Sequence, residues 1–275
     1  MAWLVGMAAA TASSILILIV LFMVKESWPA LEHIGPYRFI SDGSWHPTDN
    51  DFGMMPMFFS SLFVSTGAVV IAVPLGIAYA LIYRLYAPPW IARPYRWAII
   101  LFSGIPSVVL GLWGLTIVVP LIGSIQPPGT SLLTGMLILA IMILPTIALT
   151  AEAALAAVPP SYWSGCHALG LSREGMLLRV ILPAARGGIA AGILLATARA
   201  LGETMVVLMV TGNVVRMPDS LFAPVRTLTA NIGLEMAYAM TEHRSALFVS
   251  GLALTLLVLM LSVGAARFAS GRRHA

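Results

Sequence analysis

Residues 97–151 read WAIILFSGIPSVVLGLWGLTIVVPLIGSIQPPGTSLLTGMLILAIMILPTIALTA, 55 residues without one charge. A membrane-spanning helix takes about 20 residues. The stretch is therefore too long for one crossing. It divides at Gly123-Ser124-Ile125-Gln126-Pro127-Pro128-Gly129-Thr130, a turn-forming run. Pro106, Pro120 and Pro145 bend or end the two helices it leaves. Pro106, between Gly104 and Ser107, has two readings. It is an ordinary kink, or a break that exposes backbone N–H groups to an anion.

Working outward, four further apolar runs follow the same rule. Ala2–Val24 carries no charge and lacks a basic head, so it reads as a retained helix and not a cleaved signal. Met54–Tyr83 is long enough to span, with Pro74 and Gly76 marking a kink. Gly187–Val215 is apolar except for Arg199 and Glu203, and Ser245–Ala266 is the last run. The expected fold is all-α, a polytopic membrane protein with six transmembrane helices. The first helix covers 1–25 and a polar loop covers 26–53. A five-helix core covers 54–268, including a connecting segment at 159–183, and a tail covers 269–275.

Composition agrees. Of 275 residues, 59% are hydrophobic and 9% charged, against about 25% charged in a soluble domain. Placing both termini inside puts nine Arg on that side (84, 93, 96, 173, 179, 186, 267, 272 and 273). The other side then holds Lys25 and Arg38, Arg216, Arg226 and Arg244. That bias favours this orientation under the positive-inside rule.

Several chemistries are excluded. Lys25 is the only lysine, so no G-x-x-x-x-G-K-[ST] phosphate loop exists, and any ATP must be bound by another subunit. The single cysteine, Cys166, forbids an internal disulfide. The five histidines have no metal-ligand spacing, and Asp42, Asp49 and Asp51 lack the spacing of a calcium loop. No basic–aromatic stripe supports nucleic-acid binding.

Arg199 and Glu203 are the most informative positions. Their spacing predicts one helix face inside the fifth span. Each such group costs about 2.5–3.5 kcal/mol at the bilayer centre. Two readings compete: a substrate-pathway site, or a self-satisfied ion pair that locks helices together. For a pathway, the guanidinium fork suits a tetrahedral oxyanion, and the carboxylate favours an anion that still carries an O–H. From the pair alone, a cation or proton path through Glu203 also stays open. Gly188 and Gly192 add G-x-x-x-G spacing, which serves either helix packing within the chain or a subunit interface.

The connecting segment carries Ser164-Gly165-Cys166-His167-Ala168-Leu169-Gly170, then nine residues, then Val180-Ile181-Leu182-Pro183. This layout resembles the coupling segment of ABC importer permeases of the MetI-like fold, E-A-A-x-x-x-G, nine residues, I-x-L-P. Gly170, Leu182 and Pro183 match; Ser164, Gly165 and Cys166 replace the E-A-A triplet. Arg199-Ala200-Leu201-Gly202-Glu203-Thr204-Met205, Ile105–Gly114 and Ala72–Ala78 then resemble the phosphate-importer permeases. Trp28-Pro29-Ala30, Trp45-His46-Pro47 and Thr229-Ala230-Asn231-Ile232-Gly233 point to the PstC type. The likeness runs from about residue 15 to 268. It implies a bacterial inner-membrane permease without enzymatic activity or cofactor of its own. It also implies a PstA-type second permease, a dimeric PstB-type ATPase that holds ATP and Mg, and a periplasmic PstS-type phosphate-binding protein. Arg199, Glu203 and Thr204 are expected on the phosphate pathway. Ser164, Gly165, Cys166, Gly170, Leu182 and Pro183 are expected at the ATPase contact. Two alternatives stay open: a permease for sulfate or molybdate, and an ion-coupled secondary transporter.

Overall fold

A computed structural model describes residues 1–270, with side chains for residue 1 and for 3–264. The tail predicted at 269–275 falls almost wholly outside the described residues. The molecule is helical, with one two-residue hairpin. Among the described residues, five helices are long and apolar enough to cross a membrane, and a sixth crossing is reached if one bent pair counts as a single span.

Helix α1 (Ala2–His33) runs eight residues beyond the predicted boundary at 25. Pro29 lies inside it without ending it. The loop that follows is ordered. It holds α2 (Pro36–Ser41), then strands β1 (Trp45–His46) and β2 (Asp51–Phe52), paired with Trp45 opposite Phe52. Asn50, at φ 54°, makes the tight return between them. Phe39, Trp45, Phe52, Met54 and Met57 bury against Leu228, Ala246 and Leu247 and form the core of this hairpin end.

Helix α3 (Met55–Leu81) and α7 (Leu132–Ala156) form the central pair. Glycines bring them together. A Cβ at Gly76 would stand 2.7 Å from Ile147 Cγ2, and one at Gly67 2.4 Å from Met136 Sδ. Pro74 sits inside α3 and Pro145 inside α7, and neither interrupts its helix. Ser131 caps α7 by accepting from Thr134 N at 3.2 Å.

Between them the chain departs from the sequence expectation. Helix α4 (Pro89–Ser103) starts eight residues before Trp97, because Pro89 occupies the first turn, where a missing N–H costs nothing. Of the two readings of Pro106, the structure shows the break. Helix α4 stops at Gly104, and the next segment, residues 107–123, leaves at 94°. That segment consists of α5 (Ser107–Trp113), a π-helical turn at Gly114–Val118 and α6 (Val119–Gly123). Helix α4 exposes Trp90, Tyr95 and Trp97 and carries Arg93 and Arg96, the composition of a helix lying at a membrane surface. Arg96 Nε donates to Glu152 Oε1 of α7 at 2.9 Å and fixes it there.

The second half begins with α8 (Pro160–Ala168) and α9 (Arg173–Met176), continues through a π turn at Leu177–Ile181 and runs into α10 (Leu182–Leu201). Helix α10 lies on α7 through its small residues. A Cβ at Gly192 would be 2.0 Å from Thr150 Oγ1, and one at Gly188 2.6 Å from Ala154 Cβ. The G-x-x-x-G spacing thus serves packing within the chain. Helix α11 (Met205–Val210), α12 (Leu228–Glu235) and α13 (Thr241–Ser270) complete the fold. Helix α1 leans on α13, with Phe22 edge-on to Phe248 at 5.7 Å.

Candidate functional site

The fifth span is broken, which overturns the expectation that Arg199 and Glu203 share one helix face. Helix α10 ends at Leu201, and Gly202 and Glu203 close its last turn through N–H bonds to Ala198 O (3.1 Å) and Ala200 O (3.3 Å). The chain then restarts as α11. Arg199 therefore stands in the last turn of one helix, where a cation meets the carbonyl end of the dipole. Glu203 stands just before the other, where an anion meets free N–H groups. Its Oε1 accepts from Met205 N (3.0 Å) and Val206 N (3.2 Å). No ion pair joins Arg199 to Glu203; each charge has a helix end instead.

Arg199 is exposed on the chain surface, and its Nη1 donates to Thr146 Oγ1 at 3.3 Å. The second oxygen of Glu203 has no partner among the described residues. Thr204 is half-buried and heads α11, with its hydroxyl 3.5 Å from Gly202 O. Behind the break runs a seam of hydroxyls, Ser61, Ser65, Thr227 and Thr229, too tight to hold water. Thr229 Oγ1 donates to the Glu203 carbonyl at 2.8 Å and satisfies a backbone oxygen that the break sets free. Two glycines of the 105–114 segment close the other side. A Cβ at Gly111 would be 2.8 Å from Met209 Sδ, and one at Gly114 2.9 Å from Ile138 Cγ1.

Arg199, Glu203 and Thr204 thus lie at one break and not on one unbroken helix face. Thr146 and Thr229 were not singled out as its supports. Thr146 follows Pro145 in an unremarkable apolar run, and its partner is 53 positions away. Thr229 lay inside a quoted stretch, but only its fold shows the hydroxyl meeting Glu203.

The second predicted site is also a compact unit. Helix α8 ends in a Schellman cap: Leu171 N bonds to Cys166 O (3.2 Å) and Gly170 N to His167 O (3.1 Å). Gly170 has φ 64°, a left-handed conformation that glycine adopts without strain. Ser172 then caps α9 by accepting from Gly175 N at 3.2 Å. Ser164, Gly165, Gly170 and Pro183 are exposed and Leu182 is half-buried. Cys166 is the exception at 4% exposed. It packs with Leu155, Val158, Met176 and Ile181, so it anchors α8 and presents no surface to a partner.

The geometry is that of a membrane subunit with a charged break in one span and a surface helix pair at one end. Residues 72–274 match the family described as binding-protein-dependent transport system inner membrane component. The chain is 39% identical over 247 residues to the probable ABC transporter permease protein YqgH of Bacillus subtilis, covering 87% of this chain and 79% of that protein. It is 35% identical over 281 residues to the phosphate transport system permease protein PstC of Mesorhizobium japonicum, covering 92% and 86%. Among solved structures, a bacterial ABC transporter that imports the acidic polysaccharide alginate aligns with TM-score 0.69 at 15% identity over 98% of this chain and 96% of that one. An inward-facing form of the MetNI methionine ABC transporter aligns with TM-score 0.62 at 18% identity over 83% and 99%. At such identities the two structures speak for the fold alone. The chain is a polytopic inner-membrane permease subunit with no enzymatic role, working with a separate ATPase and a substrate-binding protein, and it belongs to the binding-protein-dependent transport system inner-membrane component family.

Proposed function

We propose that this chain is the PstC-type half of the membrane pore of an ATP-driven phosphate importer. The observation that carries the substrate is its 32–35% identity, over most of its length, to proteins named phosphate transport system permease protein PstC. The partners of this reading are a PstA-type permease, a dimeric PstB-type ATPase loaded with ATP and Mg, and a PstS-type phosphate-binding protein. The arginine bias supports an orientation with the α8 end and both termini in the cytoplasm and the hairpin end in the periplasm.

The chemistry follows from the break. Arg199 is not neutralised by Glu203, so its planar fork is free to bind two oxygens of a tetrahedral anion. The Glu203 carboxylate is held in place by two backbone N–H groups through Oε1 and keeps Oε2 for a ligand. A carboxylate accepts and does not donate. Phosphate near neutral pH still has an O–H to give it; sulfate has none. Arg199 attracts, Glu203 limits the depth of the well, and the anion is held loosely enough to leave. Nucleotide binding by the partner ATPase, docked on the exposed α8–α9 pair, moves the body of the chain and opens the break to one side and then the other.

The test is ATP-dependent phosphate uptake by the reconstituted complex, comparing wild type with Arg199→Lys and Glu203→Gln. Reduced uptake with intact assembly is expected for both. Normal uptake by both variants removes the site, and uptake of sulfate in place of phosphate by wild type removes the substrate.

A further inference from the structure

Glu235 accepts three side-chain hydrogen bonds, and the pathway chemistry above makes no use of it. It lies at the end of α12, only 6% exposed, and three elements donate to it. Trp45 Nε1 of β1 reaches Oε2 at 2.7 Å. His243 Nε2 of α13 reaches the same oxygen at 2.8 Å. A carboxylate cannot donate, so this nitrogen carries the proton. Arg226 Nη1 reaches Oε1 at 2.7 Å, and Arg226 also grips Asn213 O (2.9 Å) and the Asn231 side chain (3.0 Å). The His243 ring stacks on Phe52 of β2 at 6.1 Å. A buried carboxylate with all its donors in place resists separation from any of them, because the group left behind is buried and unpaired. The hairpin, α13 and the end of α12 therefore move as one piece.

The other end of α12 rests on the break. Thr229 donates to the Glu203 carbonyl. Leu228 N donates to Ser61 Oγ of α3 at 2.9 Å. Gly233 has no side chain, and a Cβ there would stand 2.9 Å from Thr204 Cγ2, so the helix backbone lies directly on the residue that heads α11. Residues 229 and 235 are about 9 Å apart by helical rise. A single short helix thus spans the distance from the outer hairpin to the carboxylate-bearing break, with polar bonds at both ends and no spacer.

We propose that α12 is a lever between the outer hairpin and the broken span, with Thr229 the positioning residue for Glu203 and Glu235 the joint that ties the lever to the hairpin. The inference rests on the reading of the break as the anion path, and it names the group through which a displacement on the outer face reaches that path. Close-packed contacts pass such a displacement on as a shift of the whole element.

The test is hydrogen exchange on the complete complex in lipid, without phosphate, followed in peptides covering 202–210, the hairpin at 43–54 and α7. Thr229→Val removes the hydroxyl and keeps the shape, and Thr229→Ser restores the hydroxyl. Glu235→Gln leaves one accepting oxygen and sets an NH2 group against Arg226, or against both Trp45 and His243. Faster exchange of the Met205 and Val206 amides is expected in Thr229→Val and in Glu235→Gln, about fivefold for one lost hydrogen bond. Thr229→Ser should match wild type, and α7 should be unchanged. A Glu235→Gln protein that loosens the hairpin while 202–210 exchanges at the wild-type rate overturns the lever. Equal behaviour of the Val and Ser variants overturns the positioning role, and so does a rise spread evenly over α7. If Glu235→Gln does not assemble with its ATPase, the Thr229 pair decides. Phosphate uptake by wild type is measured separately. Its failure strikes the substrate reading and leaves the exchange result standing.

Discussion

Glu203→Gln separates what the carboxylate does for the fold from what it does for an anion. The fold should tolerate it. The two hydrogen bonds that Oε1 accepts, from Met205 N and Val206 N, are available to a glutamine oxygen in the same position. The loss is the charge next to the α11 N-terminus, about 0.3–1 kcal/mol, too little to unfold a permease. The anion site should respond in the opposite proportion. Glutamine presents an NH2 group where the free Oε2 stood, so an anion without an O–H gains a donor and phosphate loses its acceptor. A hydrogen bond to a charged group contributes about 1.5–3 kcal/mol, so the preference for phosphate over sulfate should fall by about 10- to 100-fold. The assay is competition by sulfate against radiolabelled phosphate on the solubilised complex without its binding protein, so that the external protein's own selectivity does not mask the change. Thermal stability is read on the same sample. An unchanged preference in a stable, assembled variant refutes the selectivity mechanism.

Arg199→Lys keeps the charge but loses the fork and the hydrogen bond to Thr146. Its uptake should fall at least about tenfold, the cost of one charge-assisted bond, with normal co-purification of the ATPase. Gly192→Leu forces a side chain into the place of Thr150 Oγ1, whose own bonds to Thr146 O and Ile147 O hold it still. It should destabilise the chain by about 1–3 kcal/mol or more, seen as a lower melting temperature and reduced uptake. Gly170→Ala must hold φ 64° with a Cβ, costing about 1–2 kcal/mol. ATP hydrolysis should persist while phosphate moved per ATP falls, which a paired hydrolysis and uptake measurement reads. On the loop between α11 and α12, hydrogen bonding from Arg216 and its charge hold the Asp219 carboxyl below its ordinary value. The pair's contribution is present above the usual carboxylate range and lost as pH falls through the lowered value. Arg216→Ala should return the Asp219 titration, followed by carbonyl NMR, to the ordinary range.

The spans were legible because hydropathy over 20 residues is a strong, local signal. The break at Pro106 could be read as one of two outcomes, since a proline and two flanking small residues fit a kink or a stop equally well. The bend was settled by α4 having an amphipathic, arginine-bearing face that binds Glu152 and leaves no continuous apolar helix through residue 106. Arg199 and Glu203 stand out in the sequence as charges inside an apolar run, but the expectation that they share one face fails. Spacing alone presumes an unbroken helix, and nothing in Ala-Leu-Gly-Glu-Thr announces that a carboxylate will turn forward to cap the next segment. Glu235 is not singled out by the sequence. Its partner Trp45 is 190 positions away, and such a pairing leaves no trace in periodicity or local composition.

The pairing of α1 with α13 has a consequence for how the molecule is made. Helix α1 finds its mate in α13, with His33 bonded to Glu242 at 2.8 Å, 209 positions along the chain. Until α13 has been made, α1 waits in lipid as a lone hydrophobic rod. It can do so because Ala2–Val24 carries no charge to solvate. Contacts of such long sequence separation form late, so the seating of α1 on α13 is a late step of assembly.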